Sequence, residues 1–183
     1  DLYEEFKQNY PESPYLSVLE PGMEETIRFH KTELDESLYH LIPYDSTMTA
    51  LKDAWKSLKG KVVYVDVWAT WCGPCKEMFQ YVPAFKEKAK DLEVAYLYLS
   101  IDRPQAEKIW KKSIPYYNLK GHHLLAGKEL AQAVYRELGN ERGILSIPRF
   151  LIVDKEGNIV VPNAASPDQP EKLIEQLKEV LAK

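Results

Sequence analysis

Apolar positions fall into two periods along this chain, and each change of period marks a predicted element. Val62-Val63-Tyr64-Val65-Asp66-Val67-Trp68-Ala69 is a nearly unbroken run of β-branched and aromatic residues, the pattern of a central parallel strand covered on both faces. Glu93 to Ile101 reads as a second such strand, and Leu38 to Pro43 as a short one. Between them the period becomes helical. Met48, Leu51, Ala54, Trp55 and Leu58 form a stripe behind the N-cap cluster Asp45-Ser46-Thr47, and Met78, Phe79, Val82, Phe85 and Ala89 form another. Pro83 lies inside that second stripe and predicts a kink. Asp102 is placed to cap a helix carrying Ala106, Ile109 and Trp110, and Ile114 to Gly121 reads as a Tyr-rich loop. Leu130, Ala131, Val134, Tyr135 and Leu138 predict a further helix that ends at Gly139-Asn140. Arg149 to Asp154 and Ile159 to Val161 flank Lys155-Glu156-Gly157-Asn158, a hairpin signal, and Leu173, Ile174, Leu177, Val180 and Leu181 line a closing helix.

This order predicts an α/β domain over residues 38–183: a mixed central sheet flanked by helices, with a helical insert before the final β-hairpin. Residues 1–37 read as a helical N-terminal appendage. Leu2 and Phe6 share a face, Pro11-Glu12-Ser13-Pro14 is a break, and Met23, Ile27 and His30 resume a helical pattern after Pro21-Gly22. The appendage is expected to be the end of a larger upstream region or an arm on the main domain.

Composition narrows the function. At 183 residues and 45% hydrophobic, the chain is long enough for one well-cored domain and its appendage. A net charge of −4, with no basic stripe, offers no field for nucleic acid. No stretch approaches the roughly 18 consecutive apolar residues of a membrane span. The start has no signal-peptide pattern and no Met, as expected if a signal, anchor or upstream domain has been removed.

The chemistry concentrates in Trp71-Cys72-Gly73-Pro74-Cys75-Lys76, which contains the only two cysteines. They lie where the long apolar strand gives way to a helix. A thiol in the opening turn faces unpaired N–H groups and the positive end of the helix dipole, so Cys72 is the candidate nucleophile. Cys75, one turn later, can attack a mixed disulfide at Cys72 and is the candidate resolving thiol. A zinc site would need about four ligands, and the four histidines include no paired spacing beyond the adjacent His122 and His123, which read as a solvated loop. Asp66 is a carboxyl in a core strand, costly to bury when charged, and a raised pKa would make it a proton acceptor near neutrality. Trp71 reads as an exposed platform for a partner, and Trp68, Trp55 and Trp110 as packing.

The segment Asp66-Val67-Trp68-Ala69-Thr70 joined to Trp71-Cys72-Gly73-Pro74-Cys75-Lys76 resembles the active-site segment of the thioredoxin superfamily. In its Trp-Ala-Thr-Trp-Cys-Gly-Pro-Cys form it is more like the TlpA-like branch, the redoxins that bacteria export to the periplasm or tether outside the inner membrane. Tyr98-Leu99-Ser100-Ile101-Asp102, Trp110, Tyr117 to His123 and Ile147-Pro148-Arg149-Phe150 extend the likeness to redoxin-domain proteins of Bacteroides-type bacteria. The resemblance implies a thioredoxin-like fold and a protein-disulfide reductase that needs no cofactor or metal. It also implies a disulfide-containing protein substrate, a redox partner that re-reduces the enzyme, and a periplasmic or cell-envelope location. Asp66 matches the family's buried acid, and Pro148 its cis-proline facing the thiols. Pro148 would leave the backbone of Ile147 free to pair with an extended substrate. Gly73-Pro74 resembles reducing members. The family's lysine beside the acid has no match in Tyr96-Leu97-Tyr98-Leu99. Rival readings are a thiol peroxidase of the redoxin type and a Cu(I)-binding metallochaperone using the thiols with a histidine.

Overall fold

The computed structural model describes residues 2–183, which divide into two compact units at Glu33/Leu34. The first contains helices α1 (Leu2–Asn9) and α2 (Leu16–Lys31), with Lys7 paired to Glu20 and Phe6 packed on Tyr10. Helix α2 runs through Pro21 and Gly22, where the sequence predicts an interruption. One proline removes a single backbone bond, and the turns on either side close without it.

The second unit is built on a six-stranded sheet in the order β1-β4-β3-β2-β5-β6. Its strands are β1 (Tyr39–Leu41), β2 (Val62–Trp68), β3 (Val94–Ser100), β4 (Gly121–Leu125), β5 (Arg149–Val153) and β6 (Ile159–Val161). The first four run parallel, and β5 and β6 complete the sheet antiparallel. Every residue of β2 is buried, as its unbroken apolar run predicts. One face of the sheet packs Val63, Val65, Val67, Leu97 and Leu99 against Leu51, Trp55, Trp110, Leu130 and Val134. The other packs Val62, Tyr64, Phe150 and Ile152 against Phe85, Leu173 and Leu177.

The helices are α3 (Gly73–Phe79), α4 (Val82–Lys88), α5 (Glu107–Tyr116), α6 (Lys128–Leu138) and α7 (Pro170–Leu181). Two helical segments depart from the sequence reading. The helix after the cysteines is two helices, because Pro83 sits in the first turn of α4, where a missing N–H is tolerated. The stripe beginning at Leu51 is a 3-10 helix over Leu51–Leu58, and its start is held by the Asp53 carboxylate, which accepts from the backbone N–H groups of Thr49 and Ala50. Asp45 instead closes its own turn by accepting from the backbone N–H of Thr47.

Strand β4 is the larger difference. Gly121-His122-His123-Leu124-Leu125 lies between β1 and β3 rather than in a solvated loop, so α6 follows a fourth strand and connects it to the hairpin. Gly121 is obligatory there: its φ is +138°, and a Cβ would come within 2.9 Å of the Tyr96 carbonyl oxygen. His123 is fully buried, and its Nε2–H donates to the Leu119 carbonyl at 2.7 Å. Burial pulls its pKa down to about 3, so the ring is neutral and stacks on Tyr98 with centroids 5.0 Å apart. A neutral imidazole packs as an aromatic ring, which a polar/apolar pattern does not register.

Candidate active site

The site forms where β2 ends. Trp68 closes the strand, and Ala69-Thr70-Trp71-Cys72 makes a turn in which the Cys72 N–H donates to the Ala69 carbonyl at 3.0 Å. Cys72 is the N-cap of α3, and its sulfur accepts the Cys75 N–H at 3.1 Å. The two cysteines are joined as a disulfide with Cα atoms 5.3 Å apart. Cys75 has no exposed surface and Cys72 retains 4%, so an incoming sulfur meets Cys72 first. Trp71, Gly73 and Pro74 are exposed around it, Trp71 to 63%. These three residues form an exposed collar beside Cys72.

On the next strand, Arg149 of β5 pairs with Val67 of β2 in antiparallel register, so Pro148 and Ile147 lie level with the end of β2 where the turn begins. The Ile147–Pro148 peptide is cis. Pro74 and Pro148 line one open depression of about 390 Å³, with Met78, Phe150 and Ala164 among its walls. Ile147 is half-buried against the cluster that includes both cysteines. The structure thus brings Cys72, Cys75, Trp71, Gly73, Pro74, Ile147 and Pro148 to one end of the sheet.

Asp66 lies two residues before the strand end and is 2% exposed, with Oδ1 meeting no hydrogen-bond donor. Burial raises its pKa to about 8, partly opposed by the charge of Lys86. Lys86 corrects the expectation that the acid lacks a lysine. The side chain comes from α4 rather than from the neighbouring strand. Its Nζ stands 4.2 Å from the ring centroid of Tyr96 and 5.2 Å from that of Tyr98, the residue paired with Asp66 across β2 and β3. It also donates to the Lys120 carbonyl. Burial and then the Lys120 charge lower its pKa to about 7, with Asp66 pulling the other way. The sequence clue was a lysine directly after Phe85 on a buried helix face. Its reach over two tyrosines requires the sheet register.

Asp102 is the second residue that periodicity misplaces. It caps no helix, since Arg103 precedes the short 3-10 turn Pro104–Ala106. Its carboxylate reaches back to the active-site turn. Oδ1 accepts from the Thr70 hydroxyl at 2.8 Å, and Oδ2 accepts from the Thr70 N–H at 2.8 Å and the Ser100 hydroxyl at 2.8 Å. The two histidines stand apart from the thiols. His122 pairs with His40 of β1 in register, their ring centroids 5.2 Å apart, and it lines a separate cleft with Lys61 and Lys155. Among the described residues no three His, Cys, Asp or Glu side chains gather as metal ligands.

Residues 45–180 match the Redoxin family. The thiol-disulfide oxidoreductase ResA of Bacillus thuringiensis subsp. konkukian is 26% identical over 133 residues, covering 70% of this chain and 66% of its own length. The chain thus spans just under two thirds of the length of that curated relative. A solution structure from Bacteroides vulgatus, provisionally named a thiol-disulfide oxidoreductase, is 31% identical with a TM-score of 0.54, covering 72% of this chain and 78% of that one. A thiol:disulfide interchange protein from Bacteroides sp. is 25% identical with a TM-score of 0.55, covering 67% and 76%.

Proposed function

Because the chain belongs to the redoxin family, we propose that it is a thiol-disulfide oxidoreductase that reduces protein disulfides through Cys72 and Cys75. One observation carries the reading: a Cys72–Cys75 disulfide at a strand-to-helix junction, with an unpartnered buried carboxyl at Asp66 on the same strand. In the reduced enzyme the Cys72 thiolate attacks one sulfur of a substrate disulfide. A bond forms between Cys72 and that sulfur, and the other substrate sulfur leaves as a thiolate and takes a proton from solvent. Asp66, as the carboxylate, accepts the proton of Cys75, whose sulfur then attacks Cys72 and expels the second substrate thiol. Two electrons pass to the substrate, and the enzyme is left as the disulfide.

Trp71, Gly73 and Pro74 serve as the platform on which the substrate lies, and Ile147 with Pro148 as the edge that its extended backbone meets. Lys86 tunes the acid: its positive charge keeps the Asp66 pKa from rising further. A second redox protein returns the electrons to the dithiol. The likeness to the exported TlpA-like branch supports a periplasmic or cell-envelope location, and no helix among the described residues is long and apolar enough to cross a membrane. The division of the chain at Glu33/Leu34 supports residues 38–183 as the redox module and the upstream helices as an appendage.

Replacing Cys72 by Ser is expected to abolish reduction of insulin disulfides by dithiothreitol-reduced protein, and Cys75→Ser to accumulate a substrate-linked mixed disulfide seen by mass. A Cys72→Ser protein as fast as the parent contradicts the mechanism. Peroxide consumption no faster than that of a free thiol excludes the peroxidase reading.

A further inference from the structure

The turn that delivers Cys72 is four residues long, and its second residue is tied to a different strand. Thr70 makes both of its side-chain and backbone donor contacts to one carboxylate, that of Asp102, just beyond the end of β3. Asp102 is itself fixed. The Ser100 hydroxyl donates to its Oδ2, its own N–H donates back to the Ser100 oxygen at 3.1 Å, and Ser100 has no exposed surface. The neighbouring backbone is locked as well: the Ile101 N–H donates to the Trp68 carbonyl at 3.0 Å, and the Ala126 N–H to the Ser100 carbonyl at 2.8 Å. The ends of β2, β3 and β4 are therefore one bonded unit, and the active-site turn hangs from it through Asp102.

Two consequences follow for the thiols. The first is geometric. With Thr70 held at two atoms, Trp71 is left as the outward residue of the turn and Cys72 is set as the N-cap of α3. The second is electrostatic. All three donors meet acceptor oxygens, the arrangement a carboxylate makes, and none of the described ion pairs involves Asp102. Thr70 and Cys72 are two peptide steps apart, at most about 7.6 Å between Cα atoms. The Asp102 carboxylate bonds to Thr70 and is 2% exposed, so its negative charge lies against the turn that carries Cys72, is screened little by solvent and opposes a thiolate there.

We propose that Asp102 is a positioning residue for the dithiol: it holds the Ala69–Cys72 turn, and its charge biases the Cys72/Cys75 couple toward the disulfide, making the protein a stronger reductant. This rests on the assignment of Cys72 and Cys75 as the redox pair. The equilibrium concerned is dithiol plus oxidised glutathione giving protein disulfide plus two reduced glutathiones, in which two electrons and two protons leave the protein.

Two substitutions separate charge from geometry. Asp102→Asn removes the charge and leaves the Thr70 N–H facing an amide or an empty place. Thr70→Val keeps the shape and the charge but removes the hydroxyl donor, and Thr70→Ser restores that donor. The Asp102→Asn protein is expected to shift its glutathione equilibrium toward the dithiol by about tenfold, which is roughly 30 mV for a two-electron couple. Thr70→Val is expected to slow attack of Cys72 on a small aromatic disulfide about threefold to tenfold by misplacing the turn, with Thr70→Ser close to the parent. An unshifted equilibrium in a folded Asp102→Asn protein, or a Thr70→Val rate equal to the parent, overturns the proposal. If Asp102→Asn does not fold, the Thr70→Val and Thr70→Ser pair decides alone. Failure of the functional reading has a different signature, since it would leave the parent protein unable to reduce insulin whatever its glutathione equilibrium.

Discussion

Asp66 and Asp102 are both 2% exposed, the first inside β2 and the second just beyond the end of the neighbouring β3, yet their surroundings are opposite. Asp102 is met by the Thr70 N–H, the Thr70 hydroxyl and the Ser100 hydroxyl. Asp66 has an oxygen with no donor and a lysine over the neighbouring tyrosines. Burial alone therefore does not assign a carboxyl its job. A fully bonded carboxylate holds structure in place. An unbonded one is forced toward its neutral form and becomes able to exchange a proton.

The largest test of this contrast is Asp66→Asn. The unfolded chain releases the Asp66 proton near 3.8, whereas the folded protein keeps it until about 8. Stability is therefore fully retained below 3.8 and falls as pH rises toward 8, by at most about 1.4 kcal/mol per pH unit. Lys86 acts in the opposite sense: the folded protein gives up its proton near 7 and the unfolded chain near 10.5, so stability recovers across that interval. Denaturant unfolding of the oxidised protein should show a minimum near pH 7 to 8, and Asp66→Asn should raise the stability there by several kcal/mol and flatten the acid side. The same variant should slow resolution of the mixed disulfide about a hundredfold.

Ser100→Ala should do the reverse. It strips a donor from Asp102 and leaves the Asp102 N–H without its acceptor, so denaturant unfolding should show a loss of about 1 to 2 kcal/mol. An equal gain in both variants would erase the distinction between the carboxyls. The smallest effect is expected of Lys86→Met. Lys86 has largely given up its proton by the pH at which Asp66 ionises, so removing it lets the Asp66 pKa rise only slightly and the pH profile of turnover should move alkaline by well under one unit.

Most of the fold can be read from periodicity, because the strands that build the core are those with no polar face: Val62 to Ala69 and Glu93 to Ile101 announce themselves. The thiols are equally legible, being the only two cysteines and one helical turn apart. What escaped lies in side chains whose role depends on an environment that pattern does not encode. His122 and His123 look polar, but the second is a neutral core ring stacked on Tyr98. Lys86 follows Phe85 as an ordinary helix lysine until the register of Tyr96 and Tyr98 places two rings under it. Asp102 precedes a proline as a helix cap would, and only the adjacency of the β2 and β3 ends turns it toward Thr70. In each case a long-range contact between strands overrode the local signal.

The account turns on Asp66 as the proton acceptor that lets Cys75 resolve a mixed disulfide formed at Cys72. Its most direct test is the rate of that resolution in single turnover, measured against pH for the parent and for Asp66→Asn with a substrate preloaded on Cys72. The account predicts a parent rate that climbs through about pH 8 and an Asp66→Asn rate that is lower and lacks that rise. Superimposable profiles for the two proteins would contradict it.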